Sequence, residues 1–154
     1  MLVLSPLCFS VSASGSNESP IAIVIHGGAG TIKRELMSDE MEDRYREVLA
    51  EAIESGYQIL KNDGSSTDAV IATITLLEDS PLFNAGHGAV FNHDGNIELD
   101  ASIMQGGDLN AGAVAAVSRV KNPITLALAV LEHSPHVMLV GEGAEMFAQQ
   151  QGIG

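Results

Sequence analysis

Two glycine-bounded segments hold the side chains best suited to chemistry. The first, His26-Gly-Gly-Ala-Gly30, directly follows the β-branched run Ile21-Ala-Ile-Val-Ile25. Adjacent glycines let backbone amides turn toward a ligand without a Cβ clash, so such a loop can donate to an oxyanion. It can equally be a plain tight turn between a strand and a helix. The second segment is Leu82-Phe-Asn-Ala-Gly-His-Gly88. Asn84 offers both an amide donor and a carbonyl acceptor, and repeated carbonyls after a helix C-terminus can hold a hard cation through backbone oxygens. The plain alternative is an asparagine that caps its own loop. Asp100 reads as a solvated or locally bonded strand residue. His133-Ser-Pro-His136 approaches a metal-ligand spacing, but Pro135 breaks the helix that would align the two rings.

Several chemistries are missing. There is no Gly-x-x-x-x-Gly-Lys-Ser/Thr phosphate loop and no Gly-x-Ser-x-Gly elbow. Gly28 and Gly30 are not followed by a third glycine at dinucleotide spacing. The single cysteine, Cys8, excludes an internal disulfide and a cysteine-pair zinc site. Seven Lys and Arg against 20 Asp and Glu give a net charge of -13, a poor match to phosphate backbones or anionic membranes. Aromatics are 4% with no Trp, which disfavours base stacking. No apolar run reaches the 18 or so residues of a membrane span.

The elements that must position these loops follow from periodicity. With 154 residues, 45% hydrophobic and 18% charged, the chain has the composition of one globular domain. Ile21–Ile25 reads as a strand buried on both faces. From Asp39, apolar residues at spacings of three and four predict a helix, with Asp39 and Glu42 as its capping pair and Asp63-Gly64 as its stop. Ser66 caps a second helix running to about Glu78, ended by Asp79-Ser-Pro81. Ala89–Asn92 and Ile97–Met104 predict a hairpin around the Asp94-Gly95 turn, the second strand alternating apolar and polar. Gln105–Asp108 is a turn and Ala111–Ser118 a central strand. Asn122-Pro123 opens a helix to about Glu132. A short strand, His136–Val140, and a helix over Gly143–Gln151 follow. The predicted order is β, α, α, β, β, β, α, β, α, of α+β or layered αββα character.

Residues 1–20 form a leader and linker. Met1–Ala13 is short and apolar, with Val11 and Ala13 at the minus-three and minus-one positions of a secretory cleavage site but no charged n-region. A cleaved leader implies a periplasmic or secreted protein; otherwise the protein is cytoplasmic. Folding begins near Ile21.

Taken together, these segments resemble the plant-type L-asparaginases, or isoaspartyl peptidases, of the N-terminal-nucleophile hydrolases. The resemblance rests on Ile21–Gly30, on Ser80-Pro-Leu-Phe-Asn-Ala-Gly-His-Gly-Ala-Val-Phe91, and on Glu98-Leu-Asp-Ala-Ser-Ile-Met104. Ala111–Ala115, Lys121-Asn-Pro123 and Ser134-Pro-His-Val-Met-Leu-Val-Gly-Glu-Gly143 continue it in the same order, so it covers residues 21–154.

The resemblance implies the N-terminal half of an αββα four-layer sandwich. The family precursor cuts itself before a threonine, whose hydroxyl attacks an amide while its own α-amine serves as base. Substrates are L-asparagine and β-aspartyl dipeptides, giving L-aspartate. No catalytic cofactor is implied. By resemblance, Asn84 supports the active site, and His26, Gly27, Gly28 and Gly30 form the glycine loop tied to autoprocessing. Leu77, Glu78, Ser80, Phe83, Ala85 and His87 form a loop that holds a structural sodium ion by main-chain oxygens, His87 replacing a more usual apolar residue. The partners implied are the C-terminal (β) half of the same precursor, a second αβ pair in a dimer, and a small-molecule or dipeptide substrate. The family's Thr-Val-Gly segment does not occur among these residues; the threonines are Thr31, Thr67, Thr73, Thr75 and Thr125. The segment alone is therefore expected to be inactive. The alternatives are a non-catalytic remnant that binds or supports, a relative of the aspartylglucosaminidase type, and an unrelated acidic α/β domain.

Overall fold

A computed structural model describes residues 21–28 and 34–154. The leader and Gly30 lie outside the described residues. Two long helices come first. α1 spans Asp39–Lys61 and α2 spans Ser66–Asp79. Each begins one residue after a serine rather than at the expected cap. Ser38 Oγ accepts from Met41 N, and Ser65 Oγ accepts from Asp68 N. A hydroxyl set just outside the first turn reaches an orphan N–H without itself being helical, which decides both boundaries. Asp39 instead joins Glu40 and Glu42 in the acidic first turn, where the helix dipole favours them.

Two further strands and a helix follow: β1 (Leu99–Met104), β2 (Ala111–Val117) and α3 (Pro123–His133). β3 (Met138–Val140) and α4 (Gly141–Gln151) complete the described elements, with Gly152 at φ 72° as the C-cap of α4. The sheet order is β1-β2-β3, β1 antiparallel and β3 parallel to the central β2. β1 alternates as expected, with Leu99 and Ile103 buried and Asp100 and Ser102 exposed. The main core joins this sheet to α3 and α4 through Val114, Val117, Leu126 and Val130. Burying a Val or Leu side chain stabilises by about 1.5–3 kcal/mol relative to exposure. A smaller cluster of Ala52, Leu77 and Phe83 locks α1 against α2.

Two expected strands are absent. Ile21–Ile25 pairs with no strand among the described residues. Ile23 and Ile25 are half-buried, while Val24 is 91% exposed, so the run is covered on one face only. Ala89–Asn92 does not extend the hairpin either. The turn itself forms, with Asn92 Oδ1 accepting from Asp94 N and Asn96 N, and Gly95 at φ 79°. The Val90 N–H, however, donates to Asn84 Oδ1 at 2.9 Å. A backbone donor committed to that side chain is not available to a strand opposite residue 98. The α+β reading therefore holds with one small sheet.

Candidate active site

The site begins with the end of α2. Leu77 and Glu78 close its inner face, and Ser80 caps its C-terminus, with its N–H donating to Leu77 O at 3.3 Å. Ser80 Oγ then accepts from Leu82 N, turning the chain sharply. Phe83 is buried and meets Tyr45 of α1 edge to face, ring centroids 5.5 Å apart. That anchor leaves Asn84 at the surface. Phe83 O accepts from Ala85 N and Ala85 O from Gly88 N, giving one turn of 3-10 helix over Gly86–Gly88. Gly86 has φ +49°, and a Cβ there would overlap the Glu78 carbonyl oxygen. The glycine is required twice over, by conformation and by space. His87 is exposed, its Nδ1 3.3 Å from Asp79 O.

The glycine turn arrives from the other side. Gly28 has φ 116°, and its N–H donates to His26 Nδ1 at 3.2 Å. A Cβ on Gly27 would lie 3.2 Å from both Leu49 and Phe83, so the turn is seated against the ring that anchors the Asn84 loop. His26, Gly27 and Gly28 therefore share a cavity of about 400 Å³ with Asn84, Glu78 and Asp100. The two segments singled out by sequence, about sixty residues apart, form one wall. Asn84 Oδ1 is committed to Val90 N, so its NH2 is the group left to donate. Asp100 accepts from Ala116 N, the locally bonded role expected of it, while also lining the cavity.

The Glu78 side chain escaped the sequence reading, which counted only its main-chain oxygen. It is 3% exposed, and Oε1 accepts from Ile124 N at 3.0 Å. Glu78 thus caps α3 from another helix. Asn122, the expected cap, makes no side-chain cap bond: the Ile124 N–H goes to Glu78 instead, and the Asn122 amide donates to Asp79 Oδ1. Burial pushes the Glu78 carboxyl up to about 7, against the lowering effects of the Ile124 N–H and the Asn122 amide. Glu78 Oε2 is buried without a partner. The signal was present in the helical period: Ile74, Leu77 and Glu78 at i, i+3 and i+4 fall on one stripe. Beside it, Asn122 and Lys121 hold the Asp79 carboxyl below its usual range, with Lys121 Nζ 2.9 Å from Oδ1.

Among the described residues, three threonine hydroxyls are engaged in local or packing hydrogen bonds. Thr67 accepts from Gln105, and the hydroxyls of Thr73 and Thr125 donate to carbonyls of their own helices or caps. Among the described residues no group of three or more His, Cys, Asp or Glu could hold a metal, and no helix is long and apolar enough to cross a membrane.

A family model described as asparaginase matches residues 19–154. The chain is 54% identical over 131 residues to an isoaspartyl peptidase of Salmonella typhimurium, covering 85% of this chain and 42% of that protein. It is 48% identical over 133 residues to an isoaspartyl peptidase/L-asparaginase of Mus musculus, covering 86% and 40%. A plant-type L-asparaginase of Pyrococcus furiosus is 49% identical over 133 residues, covering 86% and 42%. The chain thus spans about 40% of the length of these relatives. With the asparaginase family model matching residues 19–154, nearly the whole of its length, the chain belongs to the asparaginase family of hydrolases.

Proposed function

We propose that this segment is the N-terminal part of an isoaspartyl peptidase/L-asparaginase. The protein hydrolyses β-aspartyl dipeptides and L-asparagine to L-aspartate, using a threonine that becomes N-terminal after self-cleavage. That threonine belongs to a C-terminal half of the same precursor, and the two halves complete an αββα sandwich that dimerises. The observation that carries this reading is the shared cavity of the glycine turn and Asn84. The Asn84 NH2, a neutral donor at the cavity wall, orients the reacting groups, and the His26–Gly28 backbone lines the same cavity. The segment alone is inactive. A leader cleaved after Ala13 directs the protein to the periplasm or outside the cell.

The loop from Leu77 to His87 suits a structural sodium ion. Its donors are hard carbonyl oxygens, with Gly86 and Gly88 packed directly on the Glu78 and Phe83 backbone. The partnerless Glu78 Oε2 adds an uncompensated acceptor beside them. Bound sodium would supply positive charge that fixes the loop, and takes no part in the chemistry.

The test is a fusion of residues 21–154 to the remaining portion of the Salmonella isoaspartyl peptidase. Self-cleavage, with ammonia release from asparagine or amino-acid release from a β-aspartyl dipeptide, is expected. An Asn84→Ala fusion should cleave substrate about a hundredfold more slowly, the scale of losing one positioned donor. A folded fusion that neither cleaves itself nor releases product would overturn the proposal in favour of a non-catalytic remnant.

A further inference from the structure

Two adjacent residues of α2 reach the start of α3 by different routes. Asp79, exposed, binds Lys121 and Asn122 at the surface, whereas Glu78, buried, accepts the Ile124 N–H from inside. The Glu78 backbone is also the floor on which Gly86 packs, and Gly86 lies two residues beyond Asn84. Glu78 and Asn84 line together both the cavity of the glycine turn and a second one of about 180 Å³ bounded by Asp100 and Pro123. One residue thus joins the two parts: the Glu78 carboxyl holds the first turn of α3, and its main chain holds the loop that carries Asn84.

We infer that the Glu78 side chain is a positioning residue for Asn84, acting through one hydrogen bond to the first turn of α3 rather than through its charge. The inference rests on the function proposed above. Its atomic basis is the asymmetry of the carboxyl: Oε1 accepts a hydrogen bond, and Oε2 accepts none. An amide in its place keeps the acceptor for the Ile124 N–H, with its NH2 standing where Oε2 has no partner. An aspartate keeps the charge but withdraws the acceptor by about one C–C bond, ~1.5 Å. The two conservative variants therefore rank oppositely for a hydrogen-bonding role and a charge role.

The experiment compares Glu78→Gln and Glu78→Asp in the fusion. We expect E78Q to lose less than about threefold in kcat, and E78D to lose at least about tenfold with KM within about twofold, because Asn84 acts on the chemical step. Hydrogen exchange at the Val90 amide, which is bound to Asn84 Oδ1, reads the same displacement without turnover. It should quicken in E78D and not in E78Q, while the amides of α1 stay unchanged. E78D matching E78Q in both readouts, or E78Q losing tenfold, overturns the inference. Should E78D fail to fold, Glu78→Met, which keeps the length and removes the acceptor, replaces it in both readouts with the same slower turnover and quickened Val90 exchange expected. If the unsubstituted fusion folds but is inactive, the function proposal falls and the Val90 comparison alone decides the positioning role.

Discussion

Asp100 Oδ1 accepts a 2.9 Å hydrogen bond from Ala116 N where the β1–β2 ladder slips register between Leu99 and Ala101. Ala116 sits there at φ 53°, left-handed for a residue with a Cβ. An extra residue in β2 leaves an N–H without a ladder partner, and the Asp100 carboxylate takes it. Ala116→Gly should raise stability by about 0.5–1 kcal/mol, by removing the left-handed penalty. Asp100→Ala should lower it by about 1 kcal/mol, the worth of one hydrogen bond. Urea unfolding of the two variants checks both signs.

Glu145 provides the pH dependence. Its carboxylate accepts from Ser118 N, Ser118 Oγ and Arg119 N and pairs with the Arg119 guanidinium. Burial alone would raise its pKa; the Ser118 N–H, the Arg119 side chain and the Arg119 N–H outweigh it and bring it to about 2. A depressed folded value means that this stability is full above the ordinary carboxylate pKa and is lost as pH falls through about 2. Melting temperatures between pH 5 and pH 2 should therefore fall less steeply in Glu145→Gln than in the parent. Glu145→Ala should cost about 1–2 kcal/mol at neutral pH, because it removes the charged acceptor of the Ser118 and Arg119 N–H groups.

Gly86 and Gly95 make a matched pair. Both have positive φ, +49° and +79°, but a Cβ on Gly95 meets nothing, while one on Gly86 overlaps Glu78. Gly95→Ala should cost about 1 kcal/mol, the conformational penalty alone. Gly86→Ala should cost more than about 2 kcal/mol, because backbone must also move. Under the proposed sodium role, sodium chloride should raise the parent melting temperature more than choline chloride at equal ionic strength. That difference should vanish in Gly86→Ala.

Much of this was legible from residue order. The 3.6-residue period places α1 and α2 to within a residue or two, because each buries small or apolar residues four apart, Ala52 and Gly56 in α1 and Ala69, Thr73 and Leu77 in α2. The two loops were legible from their glycines. What escaped was decided by groups distant in sequence. No local pattern says that the Val90 N–H goes to Asn84 and so ends a hairpin, or that Glu78 displaces Asn122 as the cap of α3. The β-branched run Ile21–Ile25 looked doubly buried because its composition records what it is suited to pack against, not what covers Val24 among the described residues.

Gly112 in the middle of β2 has a consequence for mutational mapping. A Cβ there would strike the backbone of α3 at Ala127 and Leu131. The helix lies as near to the sheet as its own main chain allows, and its first turn is where Glu78 is tied. A single added methyl at Gly112 would tilt α3 as a rigid rod about that contact, and so shift the far end that steadies the Asn84 loop. A screen scored only by turnover would then mark Gly112 as an active-site position, although it touches nothing in the cavity.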